Sequence, residues 1–250
     1  MNDSLYKYTL RLADNGLILS HRLAEYISCA PFLEEDLALT NTGLDLLGQS
    51  EALLKYAAEI KGGVDEDWLA FARNEEDYFN FHMVEYPNED YGYVIARQFL
   101  IDVFNYYNYT QLVDSKDERI AAVAKKAIKE VTYHLRRSSE WIIRLGDGTE
   151  ESKTRIQQCL EDLWMYTDEF FEVDEVQEEL HKQGIASDLN VIRKQWNQKV
   201  AEVLEEATLT KPEKPKYSLV YGKDGGHTEY MGFLLADMQY LKNRYPEATW

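Results

Sequence analysis

His134 stands three residues after Val131 in the stretch KEVTYHLRRSSEW, residues 129–141, where a long helix is expected. Residues i and i+3 of a helix share a face. A glutamate at 131 would therefore join the imidazole in a metal-binding Glu-x-x-His. A two-metal carboxylate centre in a helical bundle takes a glutamate from each of two helices and Glu-x-x-His from each of the other two. Its ions, about 3.5–4 Å apart, need anionic ligands to offset their repulsion.

Val131 has no lone pair to offer, and its face, Ala127, Val131, His134 and Ser138, is otherwise small and apolar. The comparable face of the second long helix is Thr42, Leu46, Gln49 and Leu53, with leucine and glutamine where glutamate and histidine would be required. Glu25, which follows Ile18 and Arg22 on one face, and Asp102, between Phe99 and Tyr106, read as inward carboxylates. Glu25, Asp102 and His134 together are too poor a set for two irons, while a single adventitious cation stays open. His134 is then a hydrogen-bonded core histidine, a former ligand or a true ligand, and spacing alone does not choose. If the two acids do point inward, their charges need partners, and Glu25 or Asp102 is expected to hydrogen-bond near His134 or Gln49.

Two other features carry candidate chemistry. A literal Glu-x-x-His occurs at Glu178 to His181, but it closes a short helix before Gly184 and has no matching motif, so it reads as an exposed helix end. Between 116 and 137 lie seven basic residues, among them Lys125, Lys126, Lys129, Arg136 and Arg137, against Asp117, Glu118 and Glu130. This is either a solvated helix face or a docking surface for an acidic partner or the phosphates of coenzyme A. No glycine-rich phosphate loop, nucleophile elbow or Cys/His pair is present.

The elements that position these residues are helices, because apolar residues recur at three- and four-residue spacing rather than alternating. Helices are expected over 4–29, 33–61, 74–82, 91–113, 117–145, 149–168, 174–182, 187–206 and 227–244. Pro31, Gly62-Gly63, Pro87-Asn88 and Gly146-Asp147-Gly148 punctuate them. Four are long, and short links make neighbours antiparallel. The expectation is an all-α four-helix bundle with additional helices, a single domain over 1–250. The segment 211–226, with two prolines and three glycines, reads as a connection before the last helix.

With 45 acidic and 27 basic residues the net charge is -18, which repels nucleic acid and anionic membranes. No leader-like or membrane-spanning stretch is found, and the two cysteines, Cys29 and Cys159, lie far apart. The reading is a cytoplasmic protein in a reducing compartment with core thiols. Eighteen tyrosines, each with a hydroxyl to satisfy, point to an interface or to a wet rim.

In combination, the segments RLADNGLILSHRLAEY, LALTNTGLDLLGQSEALLKYAAE, RQFLIDVF, AIKEVTYHLRRSSEWIIRLGDGT and GGHTEYMGFLLADMQYL resemble the C-subunit family of bacterial phenylacetyl-CoA epoxidases, from about Tyr8 to Trp250. The resemblance implies a ferritin-like fold and a non-catalytic role beside a related catalytic subunit that holds a di-iron centre. That catalytic partner reads Glu-Ala-Gly-His where this chain has Leu46-Leu47-Gly48-Gln49, and Glu-Ser-Phe-His where it has Val131-Thr132-Tyr133-His134. Glu25, Leu46, Gln49, Asp102, Val131 and His134 are then vestigial ligand positions, with no catalytic residue, cofactor or metal in this subunit. The implied partners are the di-iron subunit, other epoxidase subunits and a reductase, with a homodimer expected for the isolated chain. The rivals are a self-sufficient di-iron oxygenase or ferroxidase, and a helical interaction module outside aromatic catabolism.

Overall fold

The computed structural model describes residues 3–213 and 217–248. Among these residues there is no strand, and eleven α-helices follow one another. They are α1 (Asp3–Glu25), α2 (Leu33–Lys61), α3 (Glu66–Phe71), α4 (His82–Glu85), α5 (Tyr91–Leu112), α6 (Glu118–Gly146), α7 (Glu150–Leu163), α8 (Glu175–Lys182), α9 (Leu189–Glu206), α10 (Glu229–Met238) and α11 (Tyr240–Arg244). Two compact units result: α1–α4 with α10 and α11, and α5–α9 with Ala30–Phe32.

In the first unit α1 and α2 run antiparallel, as the short link predicts. Gly16 makes their close approach possible, since a Cβ there would overlap the Ser50 hydroxyl and lie 3.1 Å from the Leu46 carbonyl oxygen. Ser50 Oγ in turn donates to the Ala13 carbonyl at 2.9 Å. The α1 helix stops at Glu25 rather than running to 29, because Ser28 takes the left-handed region (φ 73°) and its N–H donates to Asp36 Oδ1 at 2.6 Å.

The expected helix over 74–82 is not formed. A single 3-10 turn, Glu75–Asp77, is followed by extended backbone at Tyr78 and Phe81. Side chains of α1 capture the donors that a helix would have used: Phe79 N–H binds Asp14 Oδ2 at 2.9 Å and Phe81 N–H binds Asn15 Oδ1 at 2.8 Å. The short α3, capped by the Asp65 side chain, lies outside every predicted span. The last predicted helix is also divided, at Gln239.

In the second unit α5 and α6 are the long pair. Asp90 and Asp117 cap them, accepting from Tyr93 N and from Arg119 N and Ile120 N. A Thr149–Ser152 capping box starts α7. Helix α9 docks through Trp196, whose indole N–H donates to the Leu100 carbonyl at 3.0 Å within a cluster of Trp164, Phe170 and Phe171. At the end of α6, Gly146 lets the Ala207–Leu209 backbone pass where any side chain would collide with it. Of the connection 211–226, residues 214–216 lie outside the described residues, and the described ones are non-helical apart from a 3-10 turn, Gly222–Asp224.

Candidate functional site

Helix α6 turns Ala127, Val131, His134 and Ser138 inward, all of them buried, so the predicted helical phase holds. Facing residues come from α5 within the same unit. Asp102 is fully buried, and Gln98 Nε2, one turn earlier, donates to its Oδ1 at 2.6 Å. Its second oxygen, Oδ2, is buried and accepts no hydrogen bond. Burial pushes the Asp102 carboxyl up to about 6, opposed first by His134 and then by Ser138, Gln98 and Arg137. The result is a carboxyl that gives up its proton reluctantly, gathered with an imidazole and an amide.

In the first unit α2 buries Thr42, Leu46, Gln49 and Leu53, again as predicted. Glu25 departs from expectation. It ends α1 with its side chain 39% exposed, and both carboxylate oxygens accept from Arg22 Nη1, at 3.1 and 2.8 Å. The guanidinium is buried and also donates from Nε and Nη2 to the Glu85 carbonyl, so it draws the acid to the surface side of α1.

The donor set does not fit a di-iron centre. Positions 46 and 131 are aliphatic, Glu25 faces outward, and Asp102 is the one inward carboxylate among the six positions read from the sequence. Among the described residues no group of three or more His, Cys, Asp or Glu side chains converges.

The family model for the phenylacetic acid catabolic protein matches residues 1–250. The chain belongs to this family. It is 47% identical over 248 residues to the C component of 1,2-phenylacetyl-CoA epoxidase from Escherichia coli strain K12, a match that spans 99% of this chain and 100% of that relative. The family resemblance read from the sequence is thereby borne out, as is the all-α, ferritin-like helical class. Among the described residues no helix is long and apolar enough to cross a membrane.

The basic set on α6 divides. Lys125, Lys126, Lys129 and Arg136 are exposed, whereas Arg137 is buried, so it is removed from the docking set. Its place three residues after His134 puts it on the inner face, where it bears on Asp102. Arg136 lies over the Tyr133 ring at 5.6 Å. The Glu178 to His181 motif is an exposed helix end as expected, with Glu178 paired to Lys182 at 2.7 Å.

Two buried charge clusters in the first unit escaped the sequence reading. Asp14 and Arg73 form a two-pronged ion pair, and the guanidinium also covers the Tyr78 ring at 4.0 Å. Glu85 accepts from Asn80 Nδ2 at 2.8 Å and from the N–H and hydroxyl of Thr228 at 2.8 and 2.6 Å, beside His227. Their partners are too distant in sequence for any spacing rule. The one local signal was Thr228 as an N-cap before Glu229.

Proposed function

We infer that this chain is the non-catalytic structural subunit of a multicomponent phenylacetyl-CoA epoxidase. It supports a related subunit that carries the di-iron centre and receives electrons from a reductase. The observation that carries this reading is the buried aliphatic pair, Leu46 and Val131, at the positions where a di-iron bundle needs bridging carboxylates. The 47% identity to a protein named as the C component of such an epoxidase supports it. A bundle of related fold offers the catalytic subunit a complementary helical surface that holds its metal-bearing helices in place, which is preorganisation without a reacting group. In isolation the exposed apolar side chains favour a homodimer, and the site of action is cytoplasmic.

The test is reconstitution with the di-iron subunit and reductase, measuring epoxidation per assembled complex together with iron per chain. Gln49→Ala and His134→Ala should shift stability while leaving turnover within a few fold. A hundredfold loss in an intact complex would place this subunit in the chemistry. Two irons bound to the purified chain would favour a self-sufficient di-iron oxygenase or ferroxidase.

A further inference from the structure

The second unit holds a half-open cavity of about 280 Å³. Its wall is aromatic and is assembled from three stretches of chain, with Phe32 from Ala30–Phe32, Tyr91 from the start of α5 and Trp141 from α6. Leu145 and the buried Ile156 add aliphatic lining. Tyr91 meets Trp141 edge to face with ring centroids 5.1 Å apart, and Arg144 covers the indole at 4.7 Å. Both rings are therefore held in place by this chain's own contacts before anything binds. An apolar cavity of roughly 150 Å³ is already enough to take up benzene. The larger volume here has room for a single ring with a short substituent.

The polar groups at the mouth say what that substituent is. Asp90 and Arg155 pair there at 2.8 Å, with side chains 31 and 59% exposed, whereas Trp141 and Ile156 are buried. Asp90 is engaged at both oxygens, Oδ1 accepting from Tyr93 N–H and Oδ2 from Arg155 Nη2. Ser152 Oγ donates to the Leu145 carbonyl at 2.8 Å and accepts from Thr149 N–H at 3.0 Å. Arg155 gives one N–H to Asp90 and, in a long contact of 3.5 Å, another to Glu151; the rest of its fork, Nε included, is open. The mouth calls for a hydrogen-bond acceptor. A carboxylate placed there would lie beside Asp90 and Glu151, two acids that already answer the guanidinium charge, and would be repelled. A neutral carbonyl oxygen accepts the same N–H groups without that cost.

We propose that this cavity of the second unit is a binding site for a small neutral aryl carbonyl compound, such as the amide or ester of a single-ring aromatic acid. The ring lies among Phe32, Tyr91 and Trp141, and the carbonyl oxygen accepts from Arg155.

The experiment titrates the full-length chain with phenylacetamide, phenylacetate and toluene, following the Trp141 indole N–H resonance, which is assigned by its loss in Trp141→Phe. Phenylacetamide should bind with a dissociation constant of about 0.1–1 mM, and phenylacetate about tenfold more weakly. Arg155→Gln and, separately, Phe32→Ala replace exposed side chains, so circular dichroism should show both folded. Each should weaken phenylacetamide about fivefold or more, and Arg155→Gln should leave toluene binding unchanged. Asp90→Asn keeps a residue that can cap α5 while removing the acid, and should raise the affinity for phenylacetate about fivefold. Phe233→Ala, which removes an exposed ring on α10, should change nothing. A Trp141 resonance that does not move at about 10 mM phenylacetamide would overturn the site. Equal affinity for phenylacetamide and phenylacetate would overturn the neutral carbonyl ligand and the proposal with it. Binding that survives intact in folded Arg155→Gln and Phe32→Ala would put the ligand elsewhere, which overturns the proposal as well.

Discussion

His227 and Glu85 form a buried ion pair in which the imidazole Nδ1 lies 2.7 Å from carboxylate Oε1. The other ring nitrogen, Nε2, lies 3.1 Å from the Tyr78 carbonyl oxygen. Glu85 already receives three donors from Asn80 and Thr228, so both of the histidine's neighbours serve as acceptors. Both ring nitrogens thus face acceptors, an arrangement that favours the imidazolium. Nearby, Arg11 Nε and Nη2 hold the Lys223 carbonyl at 3.1 and 3.0 Å, and Lys7 reaches Asp224 at 2.8 Å. Gly225, at φ 83°, crosses Glu76 where a side chain would strike the backbone. The C-terminal segment is thus clamped onto the first unit by charge as well as shape.

This clamp is sensitive to pH in a defined direction. Burial opposes the His227 charge, but the bond to Glu85 and its charge, aided by Glu75, outweigh it and raise the pKa above the ordinary 6.5. A raised histidine pKa gives stability that is complete below about 6.5 and is lost as pH climbs through the folded-state value. Hydrogen exchange of residues 221–238 should accelerate between neutral and alkaline pH beyond the intrinsic chemical rate. His227→Gln should remove that excess; identical profiles for the two proteins would contradict it.

Asp102 gives the same sign for a different reason. Its carboxyl is favoured in the protonated form on folding, from the ordinary 3.8 to about 6. The contribution of Asp102 to stability is therefore greatest below 3.8 and declines as pH rises through about 6. The difference of about 2 pKa units corresponds to an upper limit of about 3 kcal/mol at pH 8. Asp102→Asn, isosteric and always neutral, should stabilise the protein at pH 8 and not at pH 4 in urea titrations. Equal effects at both pH values would argue against a charge penalty.

Asp14 and Arg73 are both buried, so removing one strands the other. Asp14→Ala or Arg73→Ala should cost about 3–5 kcal/mol. Replacing both with apolar residues, Asp14→Leu with Arg73→Met, should recover a large part of that loss. Additive losses in the double variant would mean that the hydrogen bonds to Phe79, Asp77 and Leu69, rather than the ion pair, dominate.

The two cysteines should separate in a thiol-reagent assay. Cys29 is exposed and reacts in the native state, whereas burial, helped by Asp90 and Asp162, pushes the Cys159 thiol up to about 12. One equivalent is expected to react quickly and the second only on unfolding. The core thiol expected from the two well-separated cysteines holds for Cys159 and fails for Cys29, which lies beyond the end of α1.

The buried rows of α2 and α6 were legible because helical periodicity is a local property, and Leu46, Gln49, Val131 and His134 all fall where spacing puts them. Glu25 was not, because its direction is decided by Arg22, whose own direction depends on the Glu85 carbonyl from another helix. The helix read over 74–82 failed similarly, through Asp14 and Asn15 on α1. Arg137 read as surface because it adjoins Arg136 in sequence, although neighbours on a helix point about 100° apart.

The first unit joins stretches from both ends of the polypeptide, with Arg11 bonded to a residue 212 positions later. Ribosomes elongate at roughly 5–20 residues per second, so the opening helices emerge many seconds before the segment that seals them exists. The contiguous middle, Asn88–Val220, can finish while the earlier stretch still waits with Arg11 and Glu85 short of their later partners. Truncated or stalled nascent chains would therefore expose their beginning, not their end, to proteases and chaperones.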